Sequence, residues 1–173
     1  MIEVVAKLEF ITPCLGSLRQ RKNQTGVIRM PRDSQGQVIF MQTWWRGVLE
    51  YGAKAMTRHQ EHVKNIQVDT VVDGPVRRFT RHFRNQGRQG TQIHEAYIAG
   101  AVVAVNFMLP SDISVEAFTE ILSIGGQYLG ISPYGWREDY GRFRVVDVSP
   151  RSRAKSSDPD SPTGQPDTGD PES

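Results

Sequence analysis

The chain has 173 residues, 38% hydrophobic and 23% charged, with a formal charge of +2 and one cysteine. A lone cysteine excludes an intrachain disulfide and a cysteine-based zinc site, and no apolar run approaches the roughly 18 residues of a membrane span. What remains is one domain with a core large enough to fold unstapled, expected in the cytoplasm.

The first stretch, IEVVAKLEFI, alternates. Ile2, Val4, Leu8 and Phe10 point one way and Glu3, Lys7 and Glu9 the other, which predicts a half-buried strand ending at Thr12-Pro13. Residues 12–37 read as an irregular arm, with a weak hairpin over Gln24–Arg32. Residues 40–62 predict a helix capped by Thr43, with Trp44, Val48, Tyr51, Ala55 and His59 on its buried stripe. Trp45, Leu49, Gly52 and Met56 widen that stripe, and Gly47 and Gly52 suit close approach to a sheet.

Residues 64–73 alternate again as a strand that Gly74-Pro75 ends. The segment after it fits a short basic helix or a mobile arm, with Phe79 and Phe83 four residues apart. Residues 96–109 form a nearly continuous apolar run, read as a central strand up to Pro110. Residues 112–129 predict an amphipathic helix with Ser114 as its cap. A glycine-rich connection follows, drawing in Gly125, Gly126, Gly130, Gly135 and Gly141, and then a strand over 142–148.

From Pro150 the chain has no aromatic or large aliphatic residue, so 1–149 is read as the folded domain and 150–173 as a disordered acidic tail. The order strand, helix, strand, strand, helix, strand is the βαββαβ pattern of an α+β, ferredoxin-like (RRM-like) fold. It predicts an antiparallel sheet with both helices on one face and basic loop arms beside it.

Charge is unevenly placed. Residues 1–150 carry 18 Lys and Arg against 14 Asp and Glu, and the tail carries 3 against 5. Thr12–Arg32 holds Arg19, Arg21, Lys22, Arg29 and Arg32 without an acid, and Gly74–His94 holds Arg77, Arg78, Arg81, Arg84 and Arg88 without one. Such blocks are candidate footprints for a polyanion. Tyr134, Trp136, Arg137 and Arg142 in the glycine-rich connection add stacking faces and phosphate forks.

Three stretches carry a family resemblance: EFITPCLGS, where the first strand meets a proline and glycine break; TWWRGVLEYGA, with its Gly-Val-Leu step; and GGQYLGISPYGWREDYGRFRV. The chain resembles the RAMP superfamily, the RRM-like RNA-binding proteins of CRISPR complexes. That resemblance implies RNA binding across the sheet face and the glycine-rich loop, within a multi-subunit assembly.

The first functional reading is therefore a non-catalytic protein binding RNA or single-stranded nucleic acid. It uses Arg19, Arg21, Lys22, Arg77, Arg78, Arg81, Arg84, Arg88, Tyr134, Trp136, Arg137 and Arg142, with no cofactor, metal or membrane. A second is a metal-independent endoribonuclease using His82 or His94, with His94-Glu95 as an acid/base pair. A third is an adaptor subunit gripping protein neighbours. His59 and His62 stand at i,i+3 with Glu61 beside them, but spacing places no third metal ligand, and neither GxxxxGK[ST] nor GxSxG occurs.

Overall fold

A computed structural model describes residues 1–17, 26–131 and 138–151. Among these residues eight strands and two α-helices follow one another: β1 (Ile2–Phe10), β2 (Cys14–Leu15), β3 (Val27–Ile28), α1 (Gln42–Ala55), β4 (Gln67–Val68), β5 (Arg77–Asn85), β6 (Arg88–Tyr97), β7 (Val102–Leu109), α2 (Val115–Tyr128) and β8 (Phe143–Pro150). One sheet has the order β4-β7-β1-β8, with every pairing antiparallel. The second is built on β6, which pairs with β5 along its whole length and with β2 and β3 on its other edge. The protein is α+β, with two helices and mainly antiparallel sheets, an arrangement consistent with a ferredoxin-like fold.

Alternation in β1 sets the layers. Val4, Ala6, Leu8 and Phe10 are buried, as are Val103, Val105, Phe107 and Leu109 of β7 opposite them. These side chains join Trp45, Val48, Leu49, Phe118, Ile121 and Leu122 of the helices in one core. Aromatic rings tie it together: Trp45 stands edge-on to Phe107 at 5.2 Å, and Phe10 stacks on Tyr97 at 5.8 Å. Burial pushes the Tyr97 hydroxyl up to about 12, while the hydroxyl donates to the Val72 carbonyl oxygen at 3.3 Å. Among the described residues no helix is long and apolar enough to cross a membrane.

Several elements depart from the expectation drawn from the sequence. α1 starts after an extended Met41 with no side-chain cap, so Thr43 does not cap it, and it ends at Ala55 rather than near residue 62. Its buried stripe runs through Trp45, Val48, Leu49, Gly52 and Ala53, leaving Tyr51 42% exposed. The strand expected over 64–73 shrinks to β4, because a single 3-10 turn takes Val63–Asn65.

Gln24, where the expected hairpin over Gln24–Arg32 begins, lies outside the described residues; the described parts of the arm supply β2 and β3, which run antiparallel and parallel to β6, and an antiparallel bridge between Arg32 and Val38. The arginine segment is neither helix nor mobile arm. It forms the β5–β6 hairpin around Gln86 and Gly87, whose φ values of 48° and 79° are those of a two-residue turn with positive φ at both centres. The apolar run 96–109 breaks at a turn through Gly100, so Ala96 and Tyr97 belong to β6.

α2 matches its expectation, with the Ser114 hydroxyl oxygen accepting from the Ala117 N–H at 3.1 Å. Gly125 and Gly126 lie inside this helix rather than in the loop after it, and both are buried. A Cβ on Gly125 would overlap the Val48 carbonyl oxygen, and one on Gly126 would overlap the Phe143 ring. These glycines let α2 lie against α1 and β8.

Candidate nucleic-acid interface

The two acid-free blocks meet where β3 and β5 flank β6. Val27 pairs with Ile93, and Arg78 pairs with Glu95. Paired residues share a sheet face, so Val27, Arg29, Ile93, Glu95 and Arg78 belong to one outward surface. Gly16 makes the neighbouring crossing possible: a Cβ there would lie 2.5 Å from the Arg29 carbonyl carbon and 2.7 Å from the Met30 nitrogen.

The result is a cleft of about 270 Å³ lined by Arg29, Arg32, Arg77 and Arg78, with Val27, Val76 and Glu95. Glu95 is already engaged. It accepts from the Met30 N–H at 2.9 Å and from Arg32 Nη2 at 3.1 Å. Among the described residues no carboxylate pairs with Arg29, Arg77 or Arg78.

Beyond the cleft, the outward face of β5 carries Arg78, Thr80, His82 and Arg84, all exposed. At about 3.4 Å per residue this row is about 20 Å long. Arg88 sits opposite Asn85 at the hairpin turn.

The inward face of β5 is different. Arg81 is 8% exposed; its Nε donates to Glu138 Oε2 at 2.8 Å, its Nη2 pairs with Glu138 Oε1, and its Nη1 donates to Gln92 Oε1 at 3.2 Å. Its carbon Cζ also lies 5.5 Å from the centre of the Phe83 ring, which covers Gly90. Phe79 meets Tyr140 edge-on at 6.0 Å. Arg81 therefore ties the residues after the glycine-rich loop to the hairpin.

The other end of that loop is fixed as well. The Ile131 N–H donates to the Gly141 carbonyl oxygen at 2.8 Å, and the buried Cys14 thiol donates to the Ile131 carbonyl oxygen at 2.9 Å. Burial holds that thiol protonated.

Arg19, Arg21, Lys22, Tyr134, Trp136 and Arg137 lie outside the described residues, as does the tail from 152 onward. Arg142 forms an ion pair with Asp139 at 2.5 Å. Arg29 and Arg32 complete the cleft without having been singled out as site residues, and Glu95, singled out only as an acid/base partner for His94, lines it as well. The signal for the first two was their membership of the acid-free block, whereas Glu95 is placed only by the pairing of β6.

The open face of the first sheet makes a contrast. It carries Glu3, Val5, Lys7 and Glu9 of β1 and Val102, Ala104, Asn106 and Met108 of β7, with no aromatic side chain among the described residues. Its cations face acids: Arg144 pairs with Glu9 at 2.5 Å, and Lys7 lies across from Asp147. Base stacking of the RRM kind needs aromatic residues on this face.

The histidines separate by environment. His82 is exposed on the outward face, whereas His94 is fully buried. A carbonyl oxygen can only accept, so the neutral His94 ring carries its hydrogen on Nδ1 and donates to Gly16 at 2.9 Å. Neighbouring strand residues point to opposite faces, so His94 and Glu95 do not form the expected acid/base pair. His59 and His62 lie in the turn after α1, where His62 contacts Asp112. That contact holds the Asp112 carboxyl below its ordinary value. Among the described residues no cluster of three potential metal ligands forms.

Burial also holds the His94 pKa below its ordinary 6.5. Above pH 6.5 the ring is neutral in both folded and unfolded chains, so it adds no pH dependence. Below that value the unfolded chain takes up a proton that the folded one resists. Stability is therefore expected to fall as pH drops from 6.5 towards the lower folded value. Urea titrations between pH 7.5 and 5 check this, and His94→Gln should flatten that part of the profile.

No protein-family model matches the chain, and no curated protein matches it. A chain from the "Cryo-EM structure of the Type III-B Cmr-beta bound to cognate target RNA" superposes with a TM-score of 0.58 at 11% sequence identity. The match covers 86% of this chain and 60% of that one, so this protein spans less than two thirds of its neighbour's length. At that identity the likeness is one of fold: an α+β arrangement shared with that chain.

Proposed function

We propose that this protein binds RNA or single-stranded nucleic acid as a non-catalytic subunit of a ribonucleoprotein assembly. The observation that carries the reading is the cleft where Arg29 and Arg32 from one acid-free block meet Arg77 and Arg78 from the other. Arg29, Arg77 and Arg78 have no carboxylate partner among the described residues, and such guanidinium groups are forks suited to phosphate oxygens. The row through His82 and Arg84 extends the cationic track along the hairpin.

Fold likeness to a chain of an RNA-bound complex supports the same reading, as does the resemblance to the RAMP superfamily. In this reading β1, α1, β4, β7, α2 and β8 are the βαββαβ core, with the β5–β6 hairpin inserted between its middle strands. Residues 150–173 are an appended acidic tail, and the protein works in the cytoplasm.

Fluorescence anisotropy with a labelled single-stranded RNA tests this between 50 and 300 mM salt. Counterion release predicts log K falling linearly with log salt, by about 0.7 for each phosphate contacted. Three to five contacts give a slope of about −2 to −3.5. A flat profile, or no binding at the lowest salt, would remove the polyanion reading.

A further inference from the structure

Resting on that reading, we propose that the arginine cleft holds the terminal phosphomonoester of a single strand, so that the protein sits at a strand end. Three features of the cleft favour an end over a passing backbone.

The first is convergence. Arginines of three segments line one recess of about 270 Å³: Arg29 after β3, Arg32 in the loop beyond it, and Arg77 and Arg78 at the start of β5. The exposed row Arg78, His82 and Arg84 is instead spread along a strand. A row suits successive diesters. A recess suits one group approached from several sides.

The second is charge. Arg32 is offset by Glu95, which leaves Arg29, Arg77 and Arg78 without a carboxylate partner among the described residues. An internal diester brings one negative charge. A terminal phosphomonoester, with its second pKa near 6, brings almost two at neutral pH together with three acceptor oxygens. The end group neutralises more of the cleft and takes more of its donors.

The third is continuity. Arg78 belongs to both the cleft and the row. A strand whose end lies in the cleft can lead its next phosphates along the outward face of the hairpin towards Arg84. Glu95 does not oppose this, because the Met30 N–H and Arg32 hold its carboxylate.

The experiment uses one decauridine RNA in three forms, carrying a 5′-phosphate, a 3′-phosphate or hydroxyls at both ends, with uridine 5′-monophosphate as competitor. Binding is measured at pH 7.5 in low salt to the full chain and to Arg29→Ala and Arg78→Ala, with circular dichroism confirming that both variants fold. One phosphorylated form should bind about tenfold more tightly than the hydroxyl form. Each variant should lose most of that difference, and the mononucleotide should compete only at far higher concentration.

Equal, salt-sensitive binding of all three forms would overturn the end-group proposal and leave RNA binding standing. A preference that both variants retain would place the end group elsewhere and overturn the cleft. Competition by the mononucleotide as strong as by the phosphorylated oligomer would make the ligand a free nucleotide. Binding of none of the forms would overturn both this inference and the RNA-binding reading.

Discussion

Gly52→Ala is expected to destabilise the protein by about 2–3 kcal/mol, although alanine is intrinsically the better helix former by about 1 kcal/mol. Gly52 sits in α1 where the helix meets α2, and a Cβ there would overlap the Ile121 carbonyl oxygen. That neighbour is backbone in the middle of another helix, so no side-chain rotation relieves the overlap. The helices would have to separate, weakening the packing of Trp45, Val48, Phe118 and Ile121 between them and the sheet. Gly47→Ala is the control. The nearest contact of its added Cβ is Leu129 Cδ2 at 3.8 Å, which is ordinary van der Waals distance. That variant should be neutral or more stable by up to about 1 kcal/mol. Urea unfolding of the two variants beside the parent checks the pair, and equal stability of the variants would contradict close contact between α1 and α2.

The same glycines show where local reading of the sequence works and where it stops. Ser114 capping α2 and the alternation of β1 are written within a few residues, and both were legible. Gly125 and Gly126 looked like part of a flexible loop because glycines cluster there. Their role is set by Val48 and Phe143, which come from distant parts of the chain. The glycines of α1 did signal close approach, but at Gly52 the partner is a helix and not the sheet.

The hairpin was missed for a related reason. RRFTRHFR places arginines three or four apart, as a helix would, but it also alternates. The decisive signals are a Gln-Gly turn at 86–87 and the neutralisation of Arg81 by Glu138, 57 residues on. A guanidinium on the inward face of a strand makes sense only once that carboxylate is in place. Clustering of charge did identify the segments that meet in the cleft, since like-charged blocks without acids tend to face a common partner. The sequence does not say which arginines remain available. Pairing with Glu138, Asp139 and Glu9 engages Arg81, Arg142 and Arg144 respectively.

That division yields the second large effect. Replacing Arg29 and Arg78 together with alanine should weaken RNA binding about 30-fold at low salt, at about 1 kcal/mol per lost phosphate contact, and reduce the salt slope by about 1.4. Both side chains are exposed and lack carboxylate partners among the described residues, so stability should change by no more than about 0.5 kcal/mol. Lys7→Ala with Arg144→Ala removes the same formal charge from the open sheet face. Those cations already face Asp147 and Glu9, on a surface without a described aromatic residue, so the expected loss is less than about threefold. A protein attracted to RNA only by its overall charge would respond equally to both double variants, because each removes two positive charges. A protein that reads RNA on its sheet face would respond more to the second. Only a phosphate site that includes Arg29 and Arg78 in the cleft between β3 and β5 predicts that the first pair matters and the second does not.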